Sequence, residues 1–132
     1  MGESKAIKSR FRGKSEHSLD SKGRLNFPSR FREVLSQYGS ETLMVTTWGN
    51  HLRAYPVSEW EIIEDKLMDQ GKPMTRVIRL ILSGVTECNL DKQGRILLSA
   101  ASRSETRVGK DVVLTGMRDW VEIWDKESWL VE

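Results

Sequence analysis

The chain carries one uncommon motif twice. Ser18-Leu19-Asp20-Ser21-Lys22-Gly23-Arg24-Leu25-Asn26-Phe27 returns as Asn89-Leu90-Asp91-Lys92-Gln93-Gly94-Arg95-Ile96-Leu97-Leu98. From Asp20 to Asp91 the offset is 91 − 20 = 71 residues. In both copies Leu-Asp is followed by two variable residues, then Gly-Arg and an apolar-x-apolar run. Asp opens a tight turn well, because its carboxylate accepts from the backbone N–H two residues on. Gly closes such a turn because the last position often requires φ > 0. The spacing therefore predicts two hairpin tips with Asp20, Gly23 and Arg24 on one and Asp91, Gly94 and Arg95 on the other.

The segments around the turns repeat as well. A strand is expected from Phe11-Arg12-Gly13 to Asp20, and a second from Arg24 to Phe27. Pro28 suits the start of a short helix, with Phe31, Val34, Leu35 and Tyr38 on its apolar face and Gly39 at its end. Arg30 and Arg32 fall off that face. Thr42–Trp48 and Leu52–Tyr55 form a second hairpin about Gly49-Asn50. Ser58 and Glu61 have the spacing of a capping box, flanked by Val57 and Ile62, and the helix they begin stops at Gly71 and Pro73. Met74, Val77, Ile78, Ile81 and Leu82 give a third helix whose fully apolar face is expected to be buried.

In the second copy Pro28 becomes Ser99. Ser102, Glu105 and Thr106 stand where Phe31, Val34 and Leu35 stood, so the short helix there is not expected to be well formed. Asp111–Thr115 and Trp120–Trp124 answer the second hairpin, and Trp129 answers Trp60 at an offset of 129 − 60 = 69. The expected organisation is one repeat over residues 11–57, a helical connector over 58–83 and a second repeat over 84–129. The chain of 132 residues is long enough for one core. Residues 1–9 are polar and expected to fray.

The net charge is only +2, but it is unevenly spread. Residues 1–32 hold nine basic and three acidic side chains, hence +6, and the remainder is −4. A basic first third on a near-neutral body points to a local polyanion site. The windows 10–32 and 81–103 carry +5 and +1 respectively, so the first copy is expected to face the polyanion and the second to be mainly structural. The single cysteine, Cys88, precludes an internal disulfide and is expected to be a packed thiol in a reducing compartment. No apolar run approaches the length of a membrane span, and the start lacks the apolar core of a signal peptide. Two histidines and one cysteine offer no metal-ligand spacing, and no phosphate-binding loop or nucleophile elbow is present. Asp20 and Asp91 each have an arginine in their own turn, which favours the ionised carboxylate and opposes general-acid work. No enzymatic activity, cofactor or metal is expected.

These residues resemble the MraZ family of bacterial transcriptional regulators. The match runs from Phe11-Arg12-Gly13 to Trp129 and rests on the doubled Asp-x-x-x-Arg, on Pro28-x-x-Phe31-Arg32-Glu33 and on Tyr55-Pro56-x-x-x-Trp60. The resemblance implies an α+β fold of the AbrB or swapped-hairpin type, in which the two half-repeats interlock into one small β-barrel with helices to one side. It implies a double-stranded DNA partner and ring-shaped homo-oligomers larger than a dimer. It also implies a cytoplasmic, nucleoid-associated repressor of the division and cell-wall gene cluster and of its own gene, acting at short G-rich direct repeats.

Arg24 and Arg95 are the candidate base-reading residues, because an arginine fork meets guanine O6 and N7 together. Arg10, Arg12, Lys14, Lys22, Arg30 and Arg32 are candidate phosphate contacts, which add affinity without sequence information. Asp20, Gly23, Asp91 and Gly94 set the turns. A bland alternative for each Asp–Arg pair is an exposed ion pair worth about 0.2–1 kcal/mol. The rival function is a protein-interaction module, antitoxin-like, whose basic face binds an acidic partner. The five tryptophans are expected in the core or at subunit contacts.

Overall fold

A computed structural model describes residues 9–69 and 75–131. In order, the elements are β1 (Lys14–Ser18), β2 (Arg24–Asn26), α1 (Ser29–Ser36), β3 (Thr42–Trp48), β4 (His51–Pro56), α2 (Val57–Met68) and α3 (Arg76–Ser83). The second copy follows as β5 (Thr86–Asn89), β6 (Arg95–Leu97), α4 (Ala100–Thr106), β7 (Asp111–Gly116), β8 (Val121–Asp125) and α5 (Lys126–Leu130). The expected helix stop at Gly71 and Pro73, the start at Met74 and the first eight residues lie outside the described residues.

Six strands form one antiparallel sheet in the order β1-β7-β8-β4-β3-β5, and β2 pairs with β6. The copies have exchanged strands. β1 of the first copy pairs with β7 of the second, with Ser18 opposite Asp111. β5 of the second copy pairs with β3 of the first, with Asn89 opposite Thr42. These registers are equivalent under the repeat, so the molecule has a pseudo-two-fold axis between β4 and β8. The same axis passes between β2 and β6, where Leu25 faces Ile96. This is the swapped-hairpin arrangement within one chain. Each copy alone would leave an apolar face uncovered, because so few strands cannot enclose a core.

One sheet face carries Leu43, Val45, Leu52, Ala54, Val112, Leu114, Val121 and Ile123, all at most 1% exposed. They pack with Leu25 and Ile96 and with Phe27, Phe31, Val34 and Leu35 around α1. Cys88 is buried in the same core.

The opposite face of the central β4–β8 pair is polar and aromatic. Arg53 faces Glu122 directly. On either side, His51 stacks on Trp124 with centroids 4.3 Å apart, and Tyr55 meets Trp120 at 5.7 Å. Arg53 lies over the rings of both Trp48 and Trp120. Glu122 accepts hydrogen bonds from Trp120 Nε1 (3.1 Å) and Trp124 Nε1 (3.0 Å). Trp60 on α2 and Trp129 on α5 pack against Tyr55 and Trp124 at equivalent positions.

Three expectations are corrected. The second short helix does form. The Ser99 hydroxyl caps it by accepting from Ser102 N–H (3.1 Å), and Arg107 closes it in the left-handed region. Its inward Ser102 and Thr106 are buried, and Thr106 Oγ1 donates to the Ser102 carbonyl (2.7 Å), so the polar side chains bring their own partners. The capping box does not form, because α2 begins two residues early, at Val57 after Pro56, with no side-chain cap. Pro56 presets an extended backbone and lacks an N–H, so the chain enters the helix before Ser58 reaches a cap position. The flanking staple is absent for the same reason, and Ile62 is 50% exposed. The apolar face of α3 is not buried within the chain, since Val77 is 64% and Leu80 59% exposed.

Burial pushes the Glu122 carboxyl up, but bonds from His51, Trp124 and Trp120 and the charge of His51 outweigh this and hold it at about 2, below its ordinary 4.5. A depressed folded value means stability that is full above pH 4.5 and lost as pH falls toward 2. Thermal melts should show the melting temperature falling across that window, and Glu122→Gln should flatten the slope there while lowering stability at pH 7.

Candidate nucleic-acid interface

Both turns form as their sequences require. Asp20 Oδ1 accepts from the N–H of Lys22 and of Arg24, each at 2.9 Å. Asp91 Oδ1 accepts from the N–H of Gln93 and of Arg95 at the same distances. Gly23 and Gly94 close the turns at φ +87° and +75°. The second carboxylate oxygen of each Asp holds its arginine: Arg24 Nε donates to Asp20 Oδ2 at 2.6 Å, and Arg95 Nε to Asp91 Oδ2 at 2.9 Å. The aspartate thus shapes the backbone with one oxygen and aims the guanidinium with the other.

The β2–β6 pairing then brings the two tips together. Arg24 faces Leu97 and Arg95 faces Asn26, and Arg95 Nη1 lies 3.9 Å from Asp20 Oδ2. Asp20 therefore receives an arginine from each copy. Backbone bonding from Arg24 is the main cause that holds its carboxyl at about 2, with burial opposing and the Arg24 side-chain bond and charge adding to it. Asp91 is lowered in the same way, first by the Arg95 backbone bond. Both carboxylates stay ionised at neutral pH.

The candidate phosphate contacts separate into two groups. Lys22 is exposed beside Arg24 at the first turn. Arg32 comes to the second turn, with its guanidinium against Gly94. Arg10, Arg12, Lys14 and Arg30 lie at the other end of β1. Arg30 Nη2 is 3.4 Å from the Lys14 carbonyl, Lys14 lies over Trp129, and Arg10 is 3.8 Å from Asp119. Lys14 precedes Asp20 by six residues, about 20 Å along an extended strand at ~3.3 Å per residue. Most of the basic excess of the 10–32 window is therefore not at the tip.

Three cations that sequence reasoning left out stand beside the turns instead. Arg103 lies against Gly23, Lys110 accepts the Leu19 N–H on its carbonyl, and Lys92 is exposed in the second turn. Arg103 equals Arg32 plus the repeat offset, so the alignment of the two copies held the signal. At the second turn the equivalent of Lys110 is Glu41, whose carbonyl accepts from Leu90 N–H. The surroundings of the first turn are thus the more positive, for a reason that lies in the other copy.

Among the described residues there is no group of three or more His, Cys, Asp or Glu side chains able to hold a metal, and no helix long and apolar enough to cross a membrane. A doubled, strand-exchanged hairpin fold with paired arginine-bearing tips defines the swapped-hairpin class. The sequence matches the family described as "MraZ protein, putative antitoxin-like" over residues 10–79 and 81–130. The protein "Transcriptional regulator MraZ" of Syntrophobacter fumaroxidans is 44% identical over 122 residues, covering 90% of this chain and 81% of that one. Its namesake from Desulforapulum autotrophicum is 41% identical over 120 residues, covering 90% and 82%. The chain belongs to the MraZ family. It is a transcriptional regulator, a protein that acts on DNA and not an enzyme.

Following the Asp20 carboxyl by carbon NMR should give a midpoint near pH 2. In Arg24→Ala the midpoint should move up toward 3.8 without reaching it, because the two backbone N–H bonds remain.

Proposed function

We propose that the chain is a sequence-specific DNA-binding repressor that carries the paired tips into the major groove, with Arg24 as the principal base-reading residue. The observation that carries this is the fixed fork: Arg24 is held by Asp20 at 2.6 Å on a closed turn and remains partly exposed. An arginine so aimed suits guanine O6 and N7. Arg95 is tied to both Asp91 and Asp20 and is less exposed than Arg24, which suits a supporting role. Lys22, Lys92 and Lys110 are placed for the phosphates flanking the read bases, and Arg10, Arg12, Lys14 and Arg30 for phosphates farther along.

The repeats, over residues 11–57 and 84–129, form the DNA-facing unit, and the connector over 58–83 serves assembly. The family resemblance supports short G-rich direct repeats as the target, at the division and cell-wall cluster and at the regulator's own promoter, in the cytoplasm at the nucleoid. The rival is a basic face that binds an acidic protein. Salt-dependent binding to a duplex of G-rich direct repeats, absent with a scrambled duplex, favours DNA.

In anisotropy titrations at fixed salt, Arg24→Ala should lose about 1–3 kcal/mol of specific binding, as expected for a base-reading arginine. Arg95→Ala should lose clearly less and lower the melting temperature instead. Equal losses would assign reading to both tips, and no loss in Arg24→Ala would remove the turn from the site.

Assembly has its own support. Val77 and Leu80 of α3 are exposed and, with Ile81 and Trp48, line an apolar groove that a second copy would cover. Several subunits reading several repeats would add through effective concentration. Light scattering should show a closed homo-oligomer larger than a dimer, and Leu80→Glu should reduce it to smaller species with the fold retained.

A further inference from the structure

Each turn glycine is buried although the two residues before it are exposed. Ser21 and Lys22 are exposed while Gly23 is buried, and Lys92 and Gln93 are exposed while Gly94 is buried. The cover comes from across the repeat. A Cβ built on Gly23 would lie 2.9 Å from Arg103 Cζ and Nε, and one on Gly94 would lie 2.8–2.9 Å from the Arg32 side chain. The opposite copy's arginine thus occupies the space that any other residue's Cβ would need.

Each arginine is itself fixed to the end of the strand that pairs with the one following the turn it covers. The Gly23 carbonyl accepts from Leu98 N–H (3.0 Å), and the Leu98 carbonyl accepts from Arg103 Nε (3.3 Å). At the second turn the Gly94 carbonyl accepts from Phe27 N–H (2.9 Å), and the Phe27 carbonyl accepts from Arg32 Nε (3.0 Å). Turn, neighbouring strand end and guanidinium form one circuit, present twice. The same arrangement at both related positions argues against an accidental side-chain placement.

We propose that Arg103 and Arg32 are positioning residues acting across the repeat: each guanidinium seats the other copy's turn glycine and fixes the direction in which Arg24 and Arg95 leave the turn. The inference rests on the reading above that these tips meet DNA. A Cβ at position 23 or 94 would therefore push the guanidinium from its seat, in addition to straining the positive φ. A planar fork matters more here than a charge, because several guanidinium atoms press on the turn glycine while Nε makes the directed bond. Its action is on specificity, since a tip that swings by an ångström loses the bidentate fit to a base yet keeps its charge near the phosphates.

The test is a double-mutant cycle of Gly23→Ala and Arg103→Ala, with Arg103→Lys beside it, on the full chain. A duplex of G-rich direct repeats and a scrambled duplex of the same composition serve as probes. Backbone strain at Gly23 is common to both backgrounds and cancels. Gly23→Ala should weaken specific binding less in Arg103→Ala than in the wild type, by about 2- to 100-fold, the range for residues in contact. Additive effects would overturn the proposal.

Arg103→Lys should lower the ratio of specific to scrambled affinity, with the slope of log affinity against log salt and the melting temperature unchanged. Equal weakening on both duplexes in Arg103→Ala, with the salt slope reduced by about one and restored by lysine, would make Arg103 a phosphate contact and overturn it. A lower melting temperature with an unchanged ratio would leave only a structural role and also overturn it. Should the wild type bind neither duplex, the DNA reading fails alone. The cycle is then read in melting temperature, and the Arg24 Nε–H resonance should shift in Arg103→Lys but not in the exposed control Arg79→Ala. An unmoved resonance would sink the positioning role.

Discussion

The exchange of first strands between the two copies is the constraint on which everything else depends. β1 completes the second copy's sheet at β7, and β5 completes the first copy's at β3. Every buried position on the core face, from Leu43 to Ile123, is covered only because the partner copy has contributed a strand. Neither half has an interior of its own, so the apolar driving force acts on the whole chain at once. Such non-local pairing delays folding, because long loops must close before the contacts form.

The same exchange builds the site. A hairpin turn carries its own aspartate and arginine, but the distance between two turns is a tertiary quantity. The β2–β6 pairing about Leu25 and Ile96 sets it, and the result is a shared carboxylate, Asp20, with an arginine from each copy. The guanidiniums of Arg103 and Arg32 then close each turn from the opposite side. The electrostatic character of a tip is therefore mixed: Lys110 stands at the first turn and Glu41 at the second, each supplied by the other copy.

On the outer sheet face a buried carboxylate is kept ionised by two indole N–H donors and by His51, with Arg53 held between Trp48 and Trp120. A charge pair removed from water is tolerated only when its remaining acceptors are satisfied. Here tryptophans satisfy them, which explains why aromatic residues cluster on a face that is otherwise polar. The arrangement fixes α2 and α5 through Trp60 and Trp129 and leaves α3 without a buried residue.

Much was legible in the sequence where the physics is local. Asp-x-x-Gly-Arg dictates a turn through the reach of a carboxylate and the freedom of glycine, and the doubled motif implied two copies of one unit, whose interlocking the family resemblance implied. Strands at Thr42–Trp48 and Asp111–Thr115 followed from their β-branched composition. The failures were also physical. Ser58 has the right spacing for a cap, but Pro56 sets the backbone first. Ser102 and Thr106 look wrong for a buried helix face until their hydroxyls are seen to bond within the helix. The α3 stripe has the pattern of a core helix, yet periodicity says only that a face is apolar and not what covers it. The basic window 10–32 reads as one patch in the sequence, whereas β1 is extended and places Lys14 about 20 Å from Asp20. The sequence by itself thus determined each turn and its arginine, because those bonds span four residues. Only the tertiary structure decided which cations meet at the tip, because Arg103 reaches Gly23 across 80 residues through a strand pairing that no local pattern encodes.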